Sequence, residues 1–268
     1  MREPSSHSED RVRQRSRPPV WARPERARGR GRAARGPQPS LTVEAIVEAS
    51  IAIADAEGVD AVSMRRIAAS LGAGTMSLYR YVSTKDDLLD LMADQIAGDC
   101  GPSEPPEPGA DWRAGLRADA VRTREVLLAH PWAGPLLAGR PPLGPKSLRR
   151  HEYLLRLLDG RGLGIDEMAA TVGIVTGYVR GVLLRELAER AVACRTGLDE
   201  DEWRAYVGPY VRDLMADGDF PLMERFMVEA DDHPDPDASF LSGLETVLDG
   251  IAVRLRDAAG PPRGSADR

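Results

Sequence analysis

The chain has 268 residues, enough for one large or two modest domains, and is 42% hydrophobic but only 5% aromatic. Alanine, leucine and arginine are in excess and the β-branched or aromatic clusters of strands are scarce, so the composition excludes a β-rich fold and points to an all-α one. The net charge of -6 conceals an asymmetry: residues 1–39 hold eleven arginines against four acids, a net of +7, leaving -13 on the other 229 residues. An acidic body is repelled by a polyanion, whereas a basic arm is drawn to one. Cys100 and Cys194 stand far apart without neighbouring histidines, which excludes a disulfide framework or a zinc site and leaves two ordinary thiols. The most apolar segment, from Thr171, is interrupted by Arg180 and Arg185, and the N-terminus lacks a secretory apolar region; the expectations are no membrane span and a cytoplasmic protein.

Residues 1–39 read as a disordered basic arm, too rich in Pro, Gly and Arg to bury a core, and residues 259–268 as a disordered tail. From Leu41 the spacing becomes helical. Ser40 or Thr42 caps a helix whose stripe is Val43, Ile46, Ala49 and Ile53, ended by the glycine of "EGVDA". Ser63 caps a short helix with Ile67, Ala68 and Leu71 inward; Gly72 then permits a left-handed turn. "TMSLYRYV" follows as a helix of eight residues from Thr75, with Leu78 and Val82 on its buried side. Ser83 or Thr84 caps the next helix, which carries Asp86 and Asp87 at its start and buries Leu88, Leu91 and Met92. Beyond a linker at Gly98–Trp112, helices are expected near 112–130, 134–138, 145–159, 165–192, 199–216, 221–230 and 238–258.

Two short helices joined by a glycine turn and braced by a third are the parts of a helix-turn-helix. With Leu78 and Val82 committed to the core, Thr75, Met76, Ser77, Tyr79, Arg80 and Tyr81 remain for the major groove, which admits one helix. Hydroxyls meet bases or phosphates, Met76 meets a thymine methyl, and Lys85 is a point charge for the backbone. From spacing alone the same helix pair also occurs in bundles that never touch DNA.

"AVSMRRIAASLGAGTMSLYRYVSTKDDLLDLM" resembles the N-terminal domain of the TetR family of bacterial transcriptional repressors, and "HPWAGPLLAGRPPLGPKSL" with "FLSGLETVLDGI" resembles the C-terminal domain of the tetracycline-repressor subgroup. The resemblance spans about residues 41–255 and implies a DNA-binding domain at 40–86 and a helical ligand-binding and dimerisation domain at 87–258. It implies a guanine contact for Arg65, base contacts for Thr75, Met76 and Ser77, and phosphate contacts for Tyr79, Tyr81 and Lys85. It further implies a homodimer on a palindromic operator, released by a small-molecule inducer. Apolar spacing offers Val172, Val175, Val179 and Leu183, with Leu244, Val247, Leu248 and Ile251, for the dimer interface, alongside the small Gly173, Gly177 and Gly181, and the same stripes also serve as the internal core of one subunit.

Trp132, Leu136, Arg140, Glu152, Tyr153, Met168 and Tyr178 are the candidate ligand contacts, each of which core packing would also explain. Where tetracycline repressors carry a magnesium-binding histidine this chain has Leu136; Gly139 replaces the metal-shell threonine and Arg185 the partner's acidic position. Neither a metal nor a cofactor is expected. His130 and His151 read as capping or surface residues. No catalytic motif supports an enzyme. The alternative is an architectural nucleic-acid binder working through the arginine arm, which in a regulator would instead add affinity from a minor groove.

Overall fold

The computed structural model describes residues 20–22, 41–102, 104–138, 143–216, 218–230 and 235–258. Arg140, the tail at 259–268 and all of the basic arm except Val20–Ala22 lie outside the described residues. Among the described residues the structure is α-helical with no strand: α1 is Val43–Glu57, α2 Met64–Ser70, α3 Thr75–Leu78, α4 Lys85–Asp99, α5 Trp112–Ala129 and α6 Ala133–Ala138. The remaining helices are α7 Pro145–Leu158, α8 Ile165–Thr196, α9 Glu200–Met215, α10 Pro221–Glu229 and α11 Pro236–Ala258. Contacts group the chain into two compact units, one of residues up to Gly109 with Glu125–Arg156, the other of Ala110–Arg124 with the residues from Leu157 on.

In the first unit, α1 begins where the Thr42 hydroxyl accepts from the Ala45 amide at 3.1 Å, and it ends at Gly58, whose φ of 85° suits glycine. Its buried positions are Ile46, Val47, Ser50 and Ala54, so the apolar face is rotated from the expected stripe and Val43, Ala49 and Ile53 are only half-buried. Ser50 is tolerated inside because its hydroxyl donates to the Ile46 carbonyl at 2.6 Å. The Ser63 hydroxyl caps α2, and Gly72, at φ 61°, turns the chain into α3. That helix is shorter than its sequence spacing predicts. Regular geometry stops at Leu78, and the Arg80 and Tyr81 amides donate three residues back, to Ser77 and Leu78, tightening the segment into a turn. Leu78 and Val82 are fully buried, as their spacing requires. The Thr84 hydroxyl accepts from the Asp87 amide at 3.0 Å and starts α4, which buries Leu88, Met92 and Ile96 but leaves Leu91 half-exposed.

Farther along the same unit, Asp94 of α4 is buried, and its carboxylate accepts from the Lys146 and Ser147 amides at 3.2 and 2.9 Å. An α4 side chain thereby caps the first turn of α7, satisfying amides that no residue of α7 can reach. Gly144 packs so tightly that a Cβ there would collide with the Asp94 carboxylate. Asp55 of α1 accepts from the Trp132 indole at 2.6 Å, and His130 Nδ1 lies 2.7 Å from the same oxygen.

The second unit is built on α8 and α11. Val172, Val175, Val179 and Leu183 on one and Phe240, Leu244, Leu248 and Ile251 on the other are all buried. The Tyr178 ring stacks on Phe240 with centroids 5.8 Å apart, its hydroxyl donates to the Phe240 carbonyl at 2.7 Å, and Gly243 leaves room for it. Burial pushes the Tyr178 phenol above its ordinary range. Arg124 of α5 lies over the Phe240 ring and pairs with Glu186 and Asp237 at 3.1 and 2.7 Å. By length and composition α8 would pass for a membrane span, but its apolar stripe is buried and Arg180 and Arg185 are exposed.

Candidate nucleic-acid interface

The start of α2 with the segment before it, α3 with the turn after it, and the start of α4 enclose an open depression of about 570 Å³ lined by Arg65, Thr75, Tyr79 and Lys85, with Ser63, Ser83 and Thr84 among its other walls. Four of the eight residues expected to meet DNA are therefore brought together from three helices and a turn. Met76 projects from the segment at 80% exposure and Tyr79 at 45%. Arg80 is exposed and Ser77 half-buried. Tyr81 is half-buried and lines a separate pocket with Val43, Val47 and Leu91.

Charge follows the same division. Arg65, Arg80 and Lys85 have no ion-pair partner among the described residues, whereas the neighbouring Arg66 is bound to Glu57. That bond holds the Glu57 carboxyl below its ordinary range and the Arg66 guanidinium above its own. Unpaired cations beside hydroxyls at an open surface suit a phosphate backbone and base edges. Asp60, which also lines the depression, adds a negative charge. Sequence reading named Ser83 and Thr84 only as caps and did not find Ser63 as a wall; the clue was their position at the edges of the same two helices.

Residues 46–92 match the family model of the bacterial regulatory proteins of the TetR family, and residues 104–255 match the tetracycline repressor-like C-terminal domain. The chain belongs to the TetR family. It is a helix-turn-helix, DNA-binding transcriptional regulator with a helical C-terminal domain. It is 41% identical over 233 residues to the transcriptional repressor DrrR1 of Streptomyces coeruleorubidus, covering 85% of this chain and 84% of the relative. It is 26% identical to the class A tetracycline repressor of Escherichia coli, covering 84% and 98%. Among solved structures, apo ActR from Streptomyces coelicolor superposes with a TM-score of 0.66 at 29% identity, covering 82% and 99%, and ActR in complex with actinorhodin with 0.65, at 29% identity, covering 83% and 100%.

Within this TetR-family chain, the residues proposed for ligand fall in both units. Trp132, Leu136, Glu152 and Tyr153 belong to the first, Met168 and Tyr178 to the second. Several are already engaged: Trp132 is buried and bonded to Asp55, Glu152 is exposed and paired with Arg156 at 2.7 Å, and Tyr178 is held on Phe240. Met168 is buried and Leu136 and Tyr153 half-buried. Leu136 has no metal-binding atom, and among the described residues no group of His, Cys, Asp and Glu is placed to hold a metal.

The residues expected at the dimer interface pack inside the subunit. Val172, Val175, Val179, Leu183, Leu244, Leu248 and Ile251 are buried within the single chain, none more than 3% exposed, and Val247 is half-buried. Apolar spacing identifies the stripe but not what covers it, and here the stripes fill the subunit's own core. The accessible apolar side chains of the same helices are Ile174 and Leu184 on α8 and Val253 on α11, with open space beside Gly173, Gly177 and Gly181.

Proposed function

We propose that this regulator is a repressor that binds a palindromic operator in the cytoplasm as a homodimer and is released by a small organic inducer. The gathering of Arg65, Thr75, Tyr79 and Lys85 around one depression carries the reading. Arg65 reads a guanine, Thr75, Met76 and Ser77 approach base edges, and Tyr79, Arg80 and Lys85 hold phosphates. Tyr81 serves this arrangement from behind, bracing the turn against α1 and α4. One such segment reads too few base pairs to find a site in a genome, so a two-fold pair of segments about 34 Å apart is required.

The surface for pairing is the outward side of α8 and α11, with Ile174, Leu184 and Val253 as its apolar contacts and three glycines allowing close approach. The aromatic faces of α9 and α10 add Tyr206, Tyr210 and Phe226, all exposed. ActR has been solved with actinorhodin, and the inducer proposed here is a small organic molecule taken up without a metal, since Leu136 cannot ligate one. Release needs only that the ligand favour the geometry that does not fit DNA; tenfold loss of affinity takes about 1.4 kcal/mol of coupling. α4 carries that coupling, with Lys85 at the recognition end and Asp94 capping α7.

Selection of bound duplexes from a random pool, followed by footprinting, tests the reading. A palindrome whose retention falls when small organic compounds are added supports it. Enrichment of no sequence, with binding that disappears when residues 1–39 are removed, supports an architectural binder instead.

A further inference from the structure

The tripeptide Val20–Ala22 is the only described part of the basic arm, and it is folded against the DNA-binding unit. Val20 is only 5% exposed, and the Trp21 indole Nε1 is shut off from solvent without a hydrogen-bond partner among the described residues. Burying an unpaired N–H is unfavourable, so the tripeptide stays only if its apolar contacts outweigh that cost. Its seat is on α4, which the tripeptide contacts, and around a cavity of about 180 Å³ Val20 and Trp21 are joined by Val43 and Val47 of α1, Tyr81, Leu91 of α4, and Pro145 and Lys146 of α7.

These are the elements that set how the recognition turn is carried. Tyr81 closes the turn after α3, Leu91 lies one helical turn before Asp94 on α4, and Lys146 donates its amide to Asp94 and its ammonium to Gln95. The sequence also prepares the tripeptide for docking. Pro18, Pro19 and Pro24 bracket it and restrict the free chain, lowering the entropy lost on binding, and Arg17 and Arg23 flank it while Glu44 lines the seat.

We propose that Val20 and Trp21 form a latch on α4: docked across α1, α4 and the first turn of α7, they hold the lever helix in the orientation that presents the recognition turn to DNA. This rests on the operator-binding reading above. A shift of α4 against α7 would open the seat, so docking favours the closed arrangement by mass action within one chain.

Val20→Asp tests it, because the charge ejects the tripeptide while leaving Trp21 as the reporter. Each protein is compared with its own Trp21→Phe derivative, which cancels Trp112, Trp132 and Trp203. The expected results are a Trp21 emission that moves to the red and becomes several-fold more quenchable by acrylamide in Val20→Asp, and a Tm lower by about 3 °C. Affinity for a duplex selected with the wild-type protein should fall roughly five- to tenfold at unchanged salt slope, and Val20→Ile should restore it. An identical Trp21 signal in wild type and Val20→Asp would overturn the docking. Undocking with unchanged affinity, or with a reduced salt slope that places the arm's arginines on DNA, would overturn the lever. A wild-type protein that selects no duplex would overturn the operator reading and the lever together, while the Trp21 difference would still report whether the tripeptide docks.

Discussion

The recognition turn and the α8–α11 pair solve opposite problems with the same device, an apolar stripe at helical spacing. In the turn the stripe is two residues wide, Leu78 and Val82, and the remaining surface is small, hydroxylated or cationic. In α8 and α11 the stripe is long and fully occupied inside the subunit, and the opposite side still carries Ile174, Leu184 and Val253. Exposure of polar and charged groups suits a hydrated polyanion; exposure of large apolar groups suits another protein surface. The two regions should therefore respond differently to substitution.

Leu248→Ala, in the buried stripe of α11, should have the largest effect, lowering stability by about 2–5 kcal/mol through lost contacts and a cavity, as denaturant melts will show. Ile174→Glu, on the outward side of α8, should leave the melt of the subunit within about 0.5 kcal/mol and convert the protein to a monomer in sedimentation. A monomer that melts normally sharpens the comparison, whereas a dimer after this change would place the pairing surface elsewhere. Arg65→Ala should cost about 1–3 kcal/mol of operator binding and relax the preference at one base pair, read by competition with single-base variants. Lys85→Ala should weaken all duplexes alike and reduce the salt slope by about 1.

The smallest effect concerns Glu57, whose carboxyl is held below its ordinary value of 4.5 by Arg66. A depressed folded value means the contribution is present above the unfolded pKa and is lost as the pH falls through the folded one. Because the pair is exposed, Glu57→Gln should barely change the melt at neutral pH and should slightly flatten the acid limb of the stability profile.

Much of the architecture was legible because it depends on local chemistry. Thr42, Ser63 and Thr84 are capping residues by type, Gly72 is needed for a left-handed turn, and Leu78 and Val82 are four apart. The length of α3 was not legible, since its apolar spacing is the same whether the Arg80 and Tyr81 amides bond three or four residues back; they bond three back, while Val82 stays buried. The face of α1 was misjudged because Ser50 looks polar until its hydroxyl is bonded to the helix itself. The buried stripes of α8 and α11 looked the same whether a sister helix or a second subunit covered them. Asp94 gave no signal beyond being an acid among apolar residues, because its partners are amides 52 and 53 positions away.

The most direct measurement is to select duplexes from a random pool with wild-type protein and with Arg65→Ala, and to compare the two consensus sequences. The account predicts a two-fold palindrome for the wild type and, for the variant, the same palindrome with preference lost at one symmetric pair of positions. An unchanged consensus in the variant, or no consensus in the wild type, would contradict it.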